Sequence, residues 1–311
     1  MRKIKRKTMR DIELCNDKSV KDYFRTLNSL SSKKTMNYNI KSFVQVILKF
    51  NPNFVWEELN DSVISIAIDK LLQLQQSPTT INTKLCAIKG VAKRLWIEER
   101  LDGKIYQLIY SIKNVRGSRL AHGRMLSKQE LKSIFDKLDK QDCLKQIRDA
   151  AIFAVMVGTG LRRGEVAKLL QENIYLDERN PFIRVIGKGN KERQIPLPAF
   201  TQKYLKEWIE LKDNSKKGFV FVQILKDETI TNKGLSGCSI YNICENYVSA
   251  LNMKKWTPHD LRRTCASMLI EKGFDMTSVR DYLGHASIST TQLYDKRSLN
   301  RLDDLAKNIS I

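Results

Sequence analysis

Histidine is nearly absent from this chain, at three residues in 311, and prolines number only six. The six cysteines (Cys15, Cys86, Cys143, Cys238, Cys244 and Cys265) form no CxxC pair and no zinc-type spacing with histidine. That excludes a zinc module and a disulfide framework, and leaves thinly scattered core thiols of the kind kept reduced in the cytoplasm. No uncharged run approaches the length of a membrane span. The opening MRKIKRKTMR is basic but is followed by no apolar segment, so it does not read as a secretory signal. Internal repeats and low-complexity tracts are missing too. The expectation is a cytoplasmic globular protein of one large or two modest domains, with no membrane partner.

Negative charge is also in short supply. Lysine and arginine number 55 against 34 acids, a net charge of +21, and the isoelectric point is near 9.7. Such a surplus resists compaction by self-repulsion and is commonly tolerated where a polyanion neutralises it, with nucleic acid the first candidate. The surplus is densest early: 23 basic against 11 acidic residues up to position 120, then 32 against 23 over the longer remainder. The first part therefore suits a backbone-gripping role without chemistry of its own.

What is present is mostly helical periodicity. An apolar stretch from Val63 to Leu74, and the series Ile81, Leu85, Ile88, Val91, Ala92 and Leu95, recur at helical spacing, with Thr79 or Thr80 placed to cap the second helix. Four or five helices between about Val20 and Leu101 form one bundle on this reading. Residues 1–16 are a basic tail, 17–102 a helical DNA-binding domain, and 103–124 a basic, glycine-interrupted linker carrying Arg116, Arg119, Arg124 and His122. Ser127 and Glu130 form a capping box ahead of Leu131, Ile134, Phe135 and Leu138, so a second domain opens there and runs over 125–297. It begins with apolar helix through Val157 and a glycine turn (158, 160 and 164). A small antiparallel sheet follows from NIYL, FIRVIG and RQIPL, with Lys188 on or beside its second turn; the rest is helix. Residues 298–311 are a tail with a short apolar stripe.

Two of the three histidines, His259 and His285, share the last 55 residues with Tyr294 and the adjacent arginines Arg262 and Arg263. Cleaving a phosphodiester without a metal requires a nucleophile for phosphorus, cations for the nonbridging oxygens and an acid for the departing oxygen. Tyrosine, pKa about 10, suits the first role when a base assists it. Arginine suits the second through its permanent charge and fixed fork of donors. Lysine can supply the proton. Spacing alone leaves open whether these groups converge, and each histidine by itself reads more readily as a structural residue than as a catalyst.

Three segments carry more. TGLRRGEVAKL (159–169) resembles the first arginine box of the tyrosine recombinase, or phage integrase, family; VIGKGNKERQIPLP (185–198) resembles its lysine hairpin. PHDLRRTCASMLIEKGFDMTSVRDYLGHASISTTQLYDK (258–296) resembles its second box, with HxxR, LGH and a tyrosine nine residues on. The resemblance spans about 125–297 in family order. It implies a mainly α protein: an N-terminal helical core-binding (SAM-like) domain and an α+β catalytic domain with a small antiparallel sheet, together a C-shaped DNA clamp. Departures are Arg163, where an aliphatic residue is frequent, and Arg263 and Cys265, where histidine and phenylalanine are.

Carried over residue by residue, the resemblance makes Arg162 and Arg262 the clamp on the scissile phosphate and Lys188 the general acid. His259 exchanges a proton with the nucleophile, His285 bonds a phosphate oxygen, and Glu165 braces the histidine. Tyr294 forms a 3′-phosphotyrosyl linkage that stores the bond energy, so neither metal nor ATP is implied as a cofactor. Arg163 and Lys191 remain the alternatives to Arg162 and Lys188. Arg116, Arg119, Arg124, Lys191 and Arg193 are the expected DNA contacts, and Tyr282 is a packing residue. The partners implied are double-stranded DNA with specific recombination sites, a homotetrameric synapse and accessory DNA-binding factors. The tail after 297 is expected to dock on a neighbouring protomer, or alternatively on its own domain. The length suggests a recombinase of plasmid, transposon or chromosome-resolution type, without an arm-binding domain. A type IB topoisomerase-like enzyme, a non-catalytic DNA-binding regulator and a metal-dependent nuclease are the rivals; the nuclease would want an acidic cluster near the boxes, and the sequence shows none.

Overall fold

A computed structural model describes residues 12–117, 123–140, 143–187, 192–212, 218–284 and 287. The chain divides into two compact units, Met1–Ala121 and His122–Ile311.

The first unit is built from α1 (Lys18–Arg25), α2 (Leu30–Phe50), α3 (Asp61–Gln73), α4 (Pro78–Ile97) and α5 (Gly103–Ser111). Its core is the inward face of these helices, with Phe43, Ile47, Leu71, Leu85, Ile88 and Leu95 buried. The cap of α4 is Ser77, whose hydroxyl accepts from the Thr80 amide, and not a threonine; Pro78 takes the first helical position, where its missing N–H costs nothing. Helix α5 corrects a larger expectation. Residues 103–111 are not linker: Asp102 caps the helix by accepting from the Lys104 and Ile105 amides. Ile109 is fully buried, and the Tyr106 ring stacks on Trp96 at 4.8 Å between centroids. Gly103, read as a break, sits in the first turn, where a flexible residue is tolerated. Beyond α5, Asn82 holds the backbone of Val115 from both sides (3.0 and 2.8 Å), fixing the chain through that residue.

In the second unit, α6 (Lys128–Asp139) starts with the Ser127–Glu130 capping box. The long α7 (Leu144–Thr159) is buried on every side from Arg148 to its end and packs against α6, α9 (Ala199–Leu211) and α11 (Pro258–Glu271). A helix buried all round can only be a central one. After the one-and-a-half-turn α8 (Arg163–Ala167), strands β1 (Ile174–Tyr175), β2 (Phe182–Ile186) and β3 (Glu192–Pro196) form an antiparallel sheet in sequence order. Ile186 pairs with Glu192 and Val185 with Arg193, so residues 187–191 join the two strands. A second two-stranded sheet, β4 (Val222–Ile224) with β5 (Ile230–Gly234), has no counterpart in the sequence reading. Its strands are short, and one is polar at most positions. Helices α10 (Gly237–Ala250), α11 and α12 (Met276–Leu283) complete the described unit. The tail 298–311 and most of the basic segment 1–16 lie outside the described residues.

Candidate active site

Two helices end in the same way on opposite sides of the second unit's sequence, and the site is made where those ends meet. Helix α7 stops at Gly160 and α12 at Gly284; both glycines take the left-handed conformation, with φ of +62° and +66°. Each therefore turns a carbonyl out of its helix. The Gly160 carbonyl, two residues before Arg162, accepts from Nη1 of Arg262. The Gly284 carbonyl, in the second box, accepts from Nη2 of Arg162 at 3.2 Å. Arg262 also donates through Nη2 to the Leu283 carbonyl at 2.8 Å. The two boxes are thus laced together crosswise, each glycine holding the other box's arginine, and the two guanidinium groups rest on consecutive carbonyls, Leu283 and Gly284.

Local structure sets up each partner. Arg162 stands at the N-terminal cap of α8, and Glu165, three residues on, folds back to accept from the Arg162 amide (2.9 Å) and from its Nη1 (3.0 Å). That fixes the arginine at both ends while 41% of its side chain stays open to solvent. Arg262 is 1% exposed; it grows from the first turns of α11, which Pro258 opens and the Thr257–Asp260 capping box stabilises. A guanidinium this deep is tolerable only because backbone carbonyls satisfy it.

His259 lies in the same first turn. Its burial, helped by the charges of Arg263, Arg262 and Arg162 and opposed by that of Asp260, holds its pKa below the ordinary value. It is neutral at pH 7 and chemically able to accept a proton there. Glu165 is pushed up by burial, but hydrogen bonds from Arg193 and the Arg162 amide, with the charges of both arginines, bring it net below the usual carboxylate value. It is ionised.

Several expectations change on this geometry. Arg193 was expected to face DNA; it turns inward and donates to Glu165 through Nη2 (3.0 Å) and Nη1 (3.3 Å). The cause is strand alternation: Arg193 and the buried Ile195 are on one face of β3, two residues apart. Arg124 is likewise no solvent-facing contact. Its guanidinium donates to the carbonyls of Lys254 (2.6 Å) and Lys255 (3.1 Å) and pairs with Glu130 at 2.8 Å. The Asp260 carboxylate receives its backbone amide at 2.8 Å. With Arg263 donating to the Gly123 carbonyl and Leu126 donating to Thr264, residues 123–126 are fastened along α11. Among the described residues, Glu165 accepts from Arg162 and Arg193; His285 lies outside them. Arg163 sits with its guanidinium over the Tyr241 ring, 5.8 Å from the centroid, so it is Arg162 that points at the second box. Tyr282 donates its hydroxyl to the carbonyls of Gly158 (2.7 Å) and Pro196 (3.1 Å), a packing residue with a polar tether. Arg116 is exposed. Lys188, Lys191, His285, Tyr294, Arg119 and His122 lie outside the described residues. Among the described residues no group of three or more His, Cys, Asp or Glu could share a metal ion, and no helix is long and apolar enough to cross a membrane.

Around these two helix ends stand Arg162, Arg262 and Arg193 against one carboxylate, Glu165, a net charge of about +2. A fork-shaped double cation of that kind matches a phosphodiester. Comparison with known proteins shows the family. The model of the phage integrase family matches residues 124–301. Tyrosine recombinase XerC of Treponema denticola is 31% identical over 262 residues, 80% of this chain and 83% of its own length. XerC of Listeria monocytogenes serovar 1/2a is 28% identical over 236 residues, 74% and 75% of the two chains. Among solved structures, the XerH site-specific recombinase bound to palindromic difH substrate, a post-cleavage complex, has the same fold: TM-score 0.66 at 22% identity, over 90% of this chain and 81% of that one.

Proposed function

Because the chain belongs to the phage integrase family, we propose that the laced arginines hold a scissile DNA phosphate for attack by Tyr294. The protein is a tyrosine-type site-specific recombinase, an enzyme that breaks and rejoins DNA. The crosswise pairing of Gly160 with Arg262 and of Gly284 with Arg162 supports this reading most directly. It brings residues a hundred positions apart onto consecutive carbonyls, Leu283 and Gly284.

In the proposed reaction the Tyr294 phenol oxygen attacks phosphorus while neutral His259 takes its proton. Arg162, Arg262 and His285 bond the nonbridging oxygens, whose charge rises in the transition state. The bond from phosphorus to the 5′ oxygen breaks, and Lys188 gives that oxygen a proton. The products are a 3′-phosphotyrosyl linkage and a 5′ hydroxyl. A 5′ hydroxyl from a partner strand then attacks the linkage and reseals the backbone. Bond energy is kept throughout, so the cycle asks for no nucleotide cofactor.

The first unit, rich in basic residues, grips the duplex in this account, together with exposed Arg116 and with Arg119 and Lys191. Four protomers synapse two sites, and the tail 298–311 docks on a neighbour; removing it should then abolish recombination while sparing single-site cleavage. The reaction takes place in the cytoplasm, on a mobile or chromosomal element, with accessory DNA-binding factors.

The test is covalent capture. Protein incubated with sheared DNA of its source, then denatured, should carry DNA fragments attached by their 3′ ends, and sequencing these reads out the recombination site. A nicked duplex of that sequence should then trap wild-type protein in the presence of EDTA and should not trap Tyr294→Phe. Tight binding without any adduct would support a DNA-binding regulator. Adduct formation by Tyr294→Phe would overturn the assignment of the nucleophile.

A further inference from the structure

Glu165 poses an electrostatic problem that the proposed reaction does not solve. A carboxylate that braces Arg162 through both its amide and its guanidinium is, by the same geometry, a negative charge beside the phosphate site. Left alone it would repel the substrate, whose charge grows on the way to the transition state. It would also compete with that phosphate for the fork of Arg162.

Arg193 supplies what is missing. Its Nη2 meets Glu165 Oε2 at 3.0 Å and its Nη1 meets Oε1 at 3.3 Å, so the two groups lie side on. Each Glu165 oxygen is then shared between Arg193 and Arg162: Oε2 with the Arg162 amide, Oε1 with Arg162 Nη1. Both partners of the Arg193–Glu165 pair are largely shielded, at 16% and 10% side-chain exposure, so solvent screens the pair little. The guanidinium is also pressed against Gly284, where an added Cβ would lie 2.8 Å from Cζ and from Nε. Nε is buried with no hydrogen-bond partner among the described residues.

We propose that Arg193 is a positioning residue of the phosphate site: its charge cancels that of Glu165, so that the carboxylate braces Arg162 without drawing it from the phosphate. This rests on the reading of Arg162 as a phosphate clamp. Arg193 touches neither substrate nor the reacting atoms, and acts through Glu165.

The experiment is single-turnover cleavage of the nicked duplex identified by covalent capture, comparing Arg193→Gln, Arg193→Lys, Glu165→Gln and the double variant Arg193→Gln with Glu165→Gln, each checked for folding by thermal melting. Uncovering one unit charge at this range in a partly solvated site is expected to slow Arg193→Gln by about tenfold to a hundredfold. Arg193→Lys, which keeps the charge and loses the fork, should keep at least about a third of the wild-type rate. The double variant should be faster than Arg193→Gln alone, because the exposed carboxylate is gone. With a methylphosphonate at the cleavage position, which carries one negative charge fewer, the deficit of Arg193→Gln should shrink. A purely structural role would leave the deficit the same on both substrates. Three results would overturn the proposal: Arg193→Gln at the wild-type rate, Arg193→Lys as slow as Arg193→Gln, or a double variant no faster than the single one. If Arg193→Gln does not fold, the lysine and double variants still decide. Failure of wild-type protein to form any adduct would instead strike the reading of the whole site, and is separately visible.

Discussion

Replacing Gly284 with alanine tests whether the second box is shaped as described, and the cost can be worked out in parts. At φ +66° an alanine suffers the clash of Cβ with its own following carbonyl, about 1–2 kcal/mol. The new methyl would also stand 2.8 Å from Cζ and Nε of Arg193 and 2.9 Å from its Nη1. That guanidinium is the end of a flexible side chain, so it and not the backbone will move. Moving it gives up the side-on pair with Glu165, worth about 1.5–3 kcal/mol for charged hydrogen bonds of this burial. The total is about 2.5–5 kcal/mol, and at about 2–4 °C per kcal/mol the melting temperature of the second unit should fall by about 5–20 °C. Thermal unfolding of Gly284→Ala in the wild-type and Arg193→Ala backgrounds separates the two parts. With Arg193 shortened, only the backbone share of about 1–2 kcal/mol should remain. A melting temperature unchanged by Gly284→Ala, or an equal loss in both backgrounds, would refute the contact between Gly284 and Arg193.

Tyr282→Phe strips the donor from two carbonyls, those of Gly158 and Pro196; a loss of about 1–3 kcal/mol by chemical denaturation is expected, with covalent trapping of DNA retained. Loss of trapping in a folded Tyr282→Phe would reopen the choice of nucleophile. His259 has a folded pKa below its ordinary 6.5, so between the two values the unfolded chain binds the proton first. Its contribution is therefore intact above pH 6.5 and is lost as pH falls from there through the folded value. The acid limb of the cleavage profile should accordingly have its midpoint below 6.5, and His259→Gln should remove it; a midpoint above 6.5 would contradict the environment described. Asp260→Ala frees the amides of Thr257 and Arg124 together, and about 1–3 kcal/mol of stability should go with the cap and the fastening of residues 123–126. Hydrogen exchange at Arg124 should rise in that variant, and unchanged protection there would contradict the clasp.

How much of this was legible beforehand varies with the physics involved. Helices with one apolar face, such as α4 and α12, announced themselves, because burial of a stripe imposes a period that the residues must carry. The Ser127–Glu130 capping box was equally plain, being a contact between residues three apart. The linker boundary was misread because α5 is short and opens on Gly103; its burial of Ile109 and its stacking on Trp96 are tertiary facts. In the site, the box residues were recognisable through resemblance, while the lacing was not. The Gly160–Arg262 and Gly284–Arg162 contacts join positions more than a hundred residues apart, and no local pattern records such a pairing. A signal did exist for part of it: two apolar helical runs each ending in glycine is the mark of a left-handed cap with its carbonyls turned outward. The inward turn of Arg193 was legible in principle as well, since it shares a strand face with Ile195.

The most direct measurement is the chemical identity of the bond between protein and DNA. After trapping on a nicked recombination site, digestion with protease and nuclease and mass spectrometry of the peptides, the nucleotide remnant should sit on the phenol of Tyr294, linked through a 3′ phosphate. A remnant on any other residue, or a 5′ linkage, would contradict the account.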